Sequence, residues 1–293
     1  MQILKGPTKG VRSLAFSPDG NSLAAGCYDG TLRLWNLLTG EAMRLGSFGT
    51  TPKSLIWTPD GLRIIWSCGS FGFGRVCWTT IDGLTEELIG KAHDAAGVCL
   101  TPDGRTLYAA TAHAICRRDI VTGIELRAWK TVSPAFLAVS PDGGTLASTH
   151  PHSPLAEVDV FHVALWDIAT GTQRTRLLEC NQFSDGVAFA PDGTRLAALG
   201  HESLWLWEFP ACRVVTSHPS RKFYTGLAFS SDSRILATSN NDGMIRFWDS
   251  ATGGAIKVFD WDMEKALCIA FSTDGTRAAA GSAKGKIVVW DLD

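Results

Sequence analysis

The chain has 293 residues, a formal net charge of −2 and eight cysteines scattered along its length. A charge so close to neutral gives no electrostatic basis for binding nucleic acid or an anionic membrane. No run of about 18 apolar residues occurs, which predicts no membrane-spanning helix. Because the start lacks the apolar stretch of a secretory signal and no C-x-x-C pair is present, we expect a cytoplasmic protein without disulfides.

The first predicted elements form a unit of four short strands. Residues 11–16 make an apolar strand that runs into the turn Ser17-Pro18-Asp19-Gly20. Proline presets φ, aspartate bonds its own backbone and glycine permits a positive φ, so these residues favour a tight turn. The second strand, the hairpin turn and the last two strands follow in order at 23–26, 28–30, 31–35 and 41–45.

This unit recurs seven times along the chain. The S-P-D-G turn or a close variant begins at residues 17, 58, 101, 140, 190, 230 and 272. The third strand closes on an anchor residue, 40 to 48 residues after the previous one: Trp35, Trp78, Arg118, Trp166, Trp207, Trp248 and Trp290. A period near 40–45 residues with four strands per unit predicts propeller blades. We therefore expect one all-β domain over residues 1–293, a seven-bladed propeller of four-stranded antiparallel blades whose six anchor tryptophans are structural.

The repeat endings resemble the WD40 repeat family over essentially the whole chain. Residues 29–35 and 242–249 are close to that family's repeat ending, and Trp166-Asp167 and Trp290-Asp291 carry its dipeptide. The regular turns and the Ala-, Gly- and Arg-rich repeats are similar to those of bacterial members. The family usually places a Gly-His pair before the first strand, and the histidine joins a buried network with an aspartate, a hydroxyl and the tryptophan. Here that position holds Pro7, Phe48, Lys91, Lys130, Cys180, Ser220 and Asp262, so we expect no blade to complete the network.

The ring needs a fourth strand for its last blade. The chain stops just after the third strand that ends at Trp290, whereas Met1 to Lys5 supply an extra strand before the first unit. The resemblance implies that this N-terminal strand pairs with the last blade. Such pairing would remove exposed sheet edges at the join.

The two ends of the ring differ in sequence. The S-P-D-G and Thr-Gly turns share a nearly constant end, whereas the loops between blades and the second hairpins vary and include an insertion within residues 148–157. Insertions confined to one face of a repeat array indicate a binding face. The candidate binding residues are aromatic, basic or histidine side chains in these variable loops: Phe71, Phe73, His113, His152, His201, Arg221, Phe223, Tyr224 and Trp261.

The sequence favours a non-catalytic scaffold that binds a protein or peptide partner as a monomer, without nucleic acid, cofactor or metal. One alternative is an enzyme that uses the histidines with Glu157, Asp159 or Glu202 at the top of the central channel. Another is a regulatory module tethered to an enzyme. The histidines show no metal-ligand spacing on a shared rigid element, and His150 and His152 lie in a loop, so no metal site is expected.

Overall fold

The computed structural model describes residues 1–4, 7, 9–70, 73–89, 97–131, 133–150, 161–180 and 184–292. Within these ranges the chain forms 28 β-strands and no helix. The strands are arranged in seven antiparallel sheets of four strands each, and every sheet is one blade. The prediction of an all-β, seven-bladed propeller is confirmed.

Consecutive strands build each blade from the central channel outward. Blades one and two contain β2 (Val11–Phe16), β3 (Ser22–Cys27), β4 (Thr31–Asn36), β5 (Ala42–Ser47), β6 (Pro52–Trp57), β7 (Arg63–Ser70), β8 (Phe73–Thr80) and β9 (Thr85–Ile89). Blades three and four contain β10 (Val98–Leu100), β11 (Thr106–Thr111), β12 (Ala114–Asp119), β13 (Glu125–Lys130), β14 (Leu137–Val139), β15 (Thr145–His150), β16 (Phe161–Asp167) and β17 (Gln173–Cys180). Blades five and six contain β18 (Ser184–Phe189), β19 (Arg195–Gly200), β20 (Ser203–Glu208), β21 (Arg213–Pro219), β22 (Tyr224–Phe229), β23 (Ile235–Asn240), β24 (Met244–Asp249) and β25 (Ala255–Asp260). Blade seven contains β26 (Ala266–Phe271), β27 (Arg277–Ser282), β28 (Ile287–Asp291) and β1 (Gln2–Leu4).

The N-terminal strand closes the ring. β1 pairs antiparallel with β28, and Gln2 lies opposite Val289 while Leu4 lies opposite Ile287. Leu4 is buried in the same cluster as Val289 and the first-blade residue Trp35. Closure by the N-terminal strand is therefore as predicted, although Lys5, which the prediction included in this strand, lies outside the described residues.

The hydrophobic core is divided among the junctions between blades. Among the described residues, buried apolar side chains form seven clusters, and each cluster joins two neighbouring blades. The second strands supply small residues such as Ala24, Ala147 and Ala279, which let adjacent sheets approach closely. Each blade is thus stabilised mainly by its two neighbours.

Five anchor tryptophans are buried at these junctions: Trp35, Trp166, Trp207, Trp248 and Trp290. Trp78 does not share their position. In blade one Trp35 lies opposite Leu23, whereas in blade two the equivalent Ile64 lies opposite Thr79. The β7–β8 hairpin is longer than the β3–β4 hairpin, so its pairing shifts and Trp78 falls on the other face of the sheet.

Trp66 on β7 takes over the role that Trp78 was predicted to have. It is 1% exposed, and its indole N–H donates to Thr79 Oγ1 at 2.9 Å. In blades four and six the tryptophan also donates, but it stands on the third strand and the hydroxyl on the second: Trp166 and Trp248 donate to second-strand hydroxyls at 2.8 and 3.0 Å. Blade two has exchanged the tryptophan and the hydroxyl between its two central strands.

Arg118 occupies the tryptophan position in blade three, opposite Leu107. It is half-buried, and its guanidinium donates to the backbone carbonyl of Leu88 in blade two. Its Nε has no hydrogen-bond partner among the described residues. Blade three therefore holds a cation where the other blades bury an aromatic ring or a hydroxyl.

An aromatic ring from the preceding blade packs on the buried tryptophan at several junctions. The ring-centroid distances are 4.2 Å for Phe48–Trp66, 5.9 Å for Trp129–Trp166, 4.4 Å for His218–Trp248 and 5.7 Å for Trp261–Trp290.

The histidine that stacks on Trp248 in blade six does not join a network with the hydroxyl. Trp248 donates to Thr238, whereas the His218 ring is hydrogen-bonded to the carbonyl oxygen of Gly253 at 2.8 Å. A hydrogen-bonded histidine, hydroxyl and tryptophan occurs in blade four, where Ser148 accepts the indole N–H of Trp166 and is hydrogen-bonded to His150 at 2.7 Å. His150 ends the second strand and does not stand before the first, so the family pattern did not indicate it.

Candidate functional site

The turns at the constant end are held by their own side chains. In blade one the Ser17 hydroxyl donates to Asp19 Oδ1 at 2.5 Å, the Ser22 N–H donates to Ser17 Oγ at 2.9 Å, and Gly20 has a φ of 71°. The same hydroxyl-to-carboxylate bond recurs in five further turns: Thr58–Asp60, Thr101–Asp103, Ser140–Asp142, Ser230–Asp232 and Ser272–Asp274. These carboxylates are therefore engaged within the turns.

This arrangement predicts how stability depends on pH. The hydroxyl bond is the largest cause that lowers the pKa of Asp19 and of its five counterparts. A folded-state pKa below the unfolded value means that the ionised carboxylates stabilise the fold above about pH 4, and that this stabilisation is lost as the pH falls through the folded-state pKa. We expect the free energy of unfolding, measured in urea, to decrease between about pH 5 and about pH 2. A Ser17→Ala/Ser272→Ala variant should lose less on acidification, and an equal loss would contradict this explanation.

The innermost strands carry an extra residue at the variable end. The pairing register shifts between Val11 and Ser13 in β2, and it shifts at the same step in β6, β18, β22 and β26. A β-bulge of this kind re-aims the extra side chain. The bulged residues Arg12, Lys53, Thr225 and Leu267 line the mouth of the central channel, whose volume is about 290 Å³.

A second cavity, the basic pocket, opens beside this mouth between blades one and two. Its volume is about 490 Å³, and its lining includes Lys9, Arg12, Tyr28, Asp29, Thr50 and Lys53. Arg12 and Lys53 belong to both cavities, so the basic pocket continues into the channel mouth.

Asp29 does not neutralise the basic pocket, because other groups already engage it. It accepts hydrogen bonds from the Thr31 N–H and hydroxyl at 3.1 and 2.5 Å and forms an ion pair with Arg33 at 3.4 Å. Burial raises the pKa of this carboxyl, but the Thr31 hydrogen bonds and the Arg33 charge outweigh burial and hold it below its usual value.

Blades five and six present the Phe223 cluster, which consists of His201, Arg221 and Phe223. The His201 and Phe223 rings stack with their centroids 3.6 Å apart. The backbone of Phe223 is fixed by Asn241, which accepts its N–H at 3.0 Å and donates to its carbonyl at 2.9 Å. Phe223 is 36% exposed and Arg221 is exposed, so the structure brings three of the predicted binding residues together at the variable end.

Comparison with known proteins identifies the repeats. The sequence model described as "WD domain, G-beta repeat" matches residues 1–36, 211–249 and 261–291, which cover strands of blades one, five, six and seven. These three segments are similar to WD repeats. Blades one and six share the same ion pair after the second hairpin, Asp29 with Arg33 and Asp242 with Arg246.

Several curated proteins are similar to this chain over most of its length. The "Protein LST8 homolog" of Drosophila pseudoobscura pseudoobscura is 26% identical over 270 residues, which cover 84% of this chain and 78% of that protein. A "Guanine nucleotide-binding protein subunit beta" of Nicotiana plumbaginifolia is 23% identical over 323 residues, which cover 99% of this chain and 82% of that protein. The "WD repeat-containing protein 26 homolog" of Arabidopsis thaliana is 24% identical over 308 residues, and there the match covers 50% of the relative.

Two of the predicted binding residues pack into junctions of the propeller. Tyr224 is buried, its hydroxyl donates to the carbonyl of His218 at 3.3 Å, and burial raises its pKa to about 12. Trp261 is half-buried against Trp290, and its indole N–H has no hydrogen-bond partner among the described residues. A Trp261→Ala change would therefore disturb the junction between blades six and seven, so it is unsuitable as a test of binding.

The remaining predicted residues do not join the Phe223 cluster in the described part of the chain. His113 is exposed in the turn between β11 and β12, where its carbonyl accepts the N–H of Thr131. Phe73 begins β8, whereas Phe71 and His152 lie outside the described residues, as do Glu157 and Asp159. Their binding or catalytic roles stay predictions.

His150, which the sequence placed in a loop, ends strand β15. It is 4% exposed, is hydrogen-bonded to Ser148 at 2.7 Å, and stacks on His162 with centroids 4.7 Å apart. Among the residues that the structure describes, no three His, Cys, Asp or Glu side chains are grouped closely enough to hold a metal ion. The same residues include no helix long and apolar enough to cross a membrane.

Sequence reasoning missed Lys9, Arg12 and Lys53. A signal was present for two of them, since Arg12 and Lys53 both stand seven residues before the turn aspartates Asp19 and Asp60. When two neighbouring repeats have a cation at the same position, both charges lie at the same height along adjacent innermost strands.

Proposed function

We propose that this protein is a non-catalytic interaction platform that binds a protein or peptide partner across its variable end. The observation that carries the proposal is the Phe223 cluster, in which an exposed aromatic ring is ordered by its neighbours. Rigid aromatic side chains dominate many interfaces because they bury a large area at a small cost in conformational entropy. The similarity to a protein named as a subunit, and so as part of an assembly, supports the same function.

The enzyme alternative receives less support. Its histidine His150 is 4% exposed and hydrogen-bonded to Ser148, so the imidazole lies away from any substrate in the channel mouth. The channel mouth is lined instead by Arg12, Lys53 and apolar residues such as Leu227. This lining suits recognition better than acid–base chemistry.

We further propose that residues 1–293 act as one domain and as a monomer, in the cytoplasm and without nucleic acid. Pairing of β1 with β28 supplies the fourth strand of blade seven, which supports a self-contained ring. Free thiols support a reducing compartment, and all the cysteines whose side chains are described are free: Cys27, Cys68, Cys77, Cys99, Cys116, Cys212 and Cys268. Burial raises the pKa of Cys27 to about 12, which makes that thiol unreactive.

A paired substitution in the Phe223 cluster tests the proposed face. In a Phe223→Ala/Arg221→Ala variant we expect recovery of the specific partner from a lysate of the source cells to fall about ten-fold or more, because both groups are exposed at the variable end. Recovery is measured by quantitative mass spectrometry on immobilised protein. Thermal unfolding of the variant should stay within a few degrees of the wild-type protein, since neither side chain is fully buried.

The control removes one exposed apolar and one exposed basic side chain from the constant end. Val121 is exposed in the turn after β12, and Arg234 is exposed in the turn before β23. We expect a Val121→Ala/Arg234→Ala variant to keep the partner. Loss of the partner in this control, with retention in the Phe223→Ala/Arg221→Ala variant, would assign binding to the opposite end.

A further inference from the structure

We propose that the basic pocket binds a carboxylate-bearing side chain of a partner's peptide segment, whose neighbouring apolar side chain enters the channel mouth. The proposal rests on the proposed function, because it assigns a chemistry to the segment bound at the variable end. It concerns Lys9, Arg12 and Lys53, which no sequence motif of the repeat explains.

The charge of the basic pocket is the first argument. Lys9, Arg12 and Lys53 take part in none of the ion pairs formed within the described part of the chain. Asp29, the acidic group in the lining, is already paired with Arg33. The pocket therefore carries three positive charges that its own carboxylate does not compensate, and an anionic ligand would compensate them.

The second argument is the partial burial of two of these cations. Arg12 and Lys53 are half-buried, whereas Lys9 is exposed at the rim. A cation that is partly removed from water gains more from an anionic partner than a fully exposed one, because water screens the interaction less. Arg12 and Lys53 are thus the groups that should contribute most to affinity.

Preorganisation is the third argument. Arg12 and Lys53 stand on the bulges of β2 and β6, which are adjacent innermost strands of the ring. The Ser13 hydroxyl donates to the carbonyl of Pro52 at 3.0 Å and ties the two strands together beside the bulges. Gly10, next to Lys9, packs closely on the backbone of Ala283, where a Cβ atom would stand 2.5 Å from the carbonyl oxygen. A ligand therefore meets cations whose backbone is already in place.

The lining of the adjoining cavity selects a peptide over a small anion. The channel mouth, which shares Arg12 and Lys53 with the basic pocket, is lined by the apolar residues Leu14, Leu55, Leu137, Leu227 and Ile269. A free phosphate or acetate would use the charges and leave this apolar surface in water. An acidic residue next to an aliphatic one would use both.

A defined peptide provides the test. The probe is a fluorescein-labelled hexapeptide of alternating Glu and Leu, and its Kd for the wild-type protein is measured by fluorescence anisotropy. The comparison peptide alternates Gln and Leu, which keeps the shape and removes the charge. We expect the Kd of the Glu peptide to be lower than that of the Gln peptide by about ten-fold or more, because charge-assisted hydrogen bonds are stronger than neutral ones.

Two charge-matched variants locate the site. We expect R12Q/K53Q to weaken binding of the Glu peptide by about ten-fold or more. The control R44Q/R127Q removes two exposed cations from the outer strands β5 and β13 and changes the net charge equally, so we expect less than about a two-fold effect. Circular dichroism and thermal unfolding of both variants confirm that the propeller is intact.

Three results would overturn the proposal. The first is that the Glu and Gln peptides bind equally, or that neither binds. The second is that R12Q/K53Q and R44Q/R127Q weaken binding of the Glu peptide equally, and the third is that an equal concentration of inorganic phosphate displaces the Glu peptide. The last result would assign the basic pocket to a small anion. Failure of the proposed function is distinguishable, because it shows in the Phe223→Ala/Arg221→Ala capture experiment. The proposal for the basic pocket is supported if the Glu peptide binds through Arg12 and Lys53, even when the Phe223→Ala/Arg221→Ala variant captures as much partner as the wild-type protein.

Discussion

Replacing Trp66 by alanine is expected to lower the free energy of unfolding by about 3–5 kcal/mol. The side chain is fully buried between blades one and two, packs on Phe48, and donates its indole N–H to Thr79 Oγ1. Its removal leaves a large cavity at a junction where the facing backbone belongs to two rigid sheets that cannot collapse into the space. Urea unfolding followed by circular dichroism measures the loss.

Trp78→Ala is the matched control in the same blade. The Trp78 ring is half-buried, lies under the Arg63 guanidinium at 3.8 Å, and donates to Glu86 Oε2 at 2.9 Å. Trp78 also packs on the edge of the cluster between blades two and three, but because the ring is only half-buried we expect a smaller loss than at Trp66, about 1–2 kcal/mol. The repeat motif alone predicts the reverse order, so a larger loss at Trp78 than at Trp66 would show that the motif and not the register locates the core residue.

A carboxylate introduced at Leu4 is expected to open the ring. Leu4 is 4% exposed in β1, where it packs in the cluster that joins blades seven and one. A Leu4→Asp change removes this apolar contact and buries a group that must stay charged without a partner or become protonated. We expect the free energy of unfolding to fall by about 3 kcal/mol or more, measured in urea at neutral pH.

The neighbouring residue offers a control that differs only in the direction of its side chain. Ile3 lies in the same strand, is paired with Val288 and is 55% exposed. We expect Ile3→Asp to change the free energy of unfolding by no more than about 0.5 kcal/mol. Similar small effects at both positions would mean that β1 contributes little to closure, and similar large effects would mean that pairing of the strand matters more than burial of Leu4.

The amino-acid sequence by itself determined the number of blades and their strand order, whereas closure by the N-terminal strand was implied by the family resemblance. These features depend on local chemistry repeated at a fixed interval. The turn that begins at Ser17 needs a hydroxyl, an aspartate and a residue that accepts positive φ, and the structure shows Ser17, Asp19 and Gly20 in those roles. A requirement that is satisfied within four residues can be read from those residues. Six copies of it, with a seventh that begins at Ala190 and lacks the hydroxyl, predict the propeller.

Only the tertiary structure decided which side chains meet across a junction. The longer second hairpin of blade two turns Trp78 toward blade three, where it is half-buried, and leaves Trp66 buried against blade one, because a one-residue change of register reverses the direction of every side chain in a strand. Burial of Tyr224 and the contact of Trp261 with Trp290 depend on packing between neighbouring blades.

The basic pocket arises in the same way. Arg12 and Lys53 are remote in the chain, and β-bulges on adjacent innermost strands direct both side chains to one cavity. A bulge is a property of the pairing between two strands and has no fixed sequence signature here, since its position holds Arg12, Lys53, Thr225 or Leu267 in different blades. The sequence thus determined the architecture through local turns, whereas the site depends on strand register and on the packing of one blade against the next.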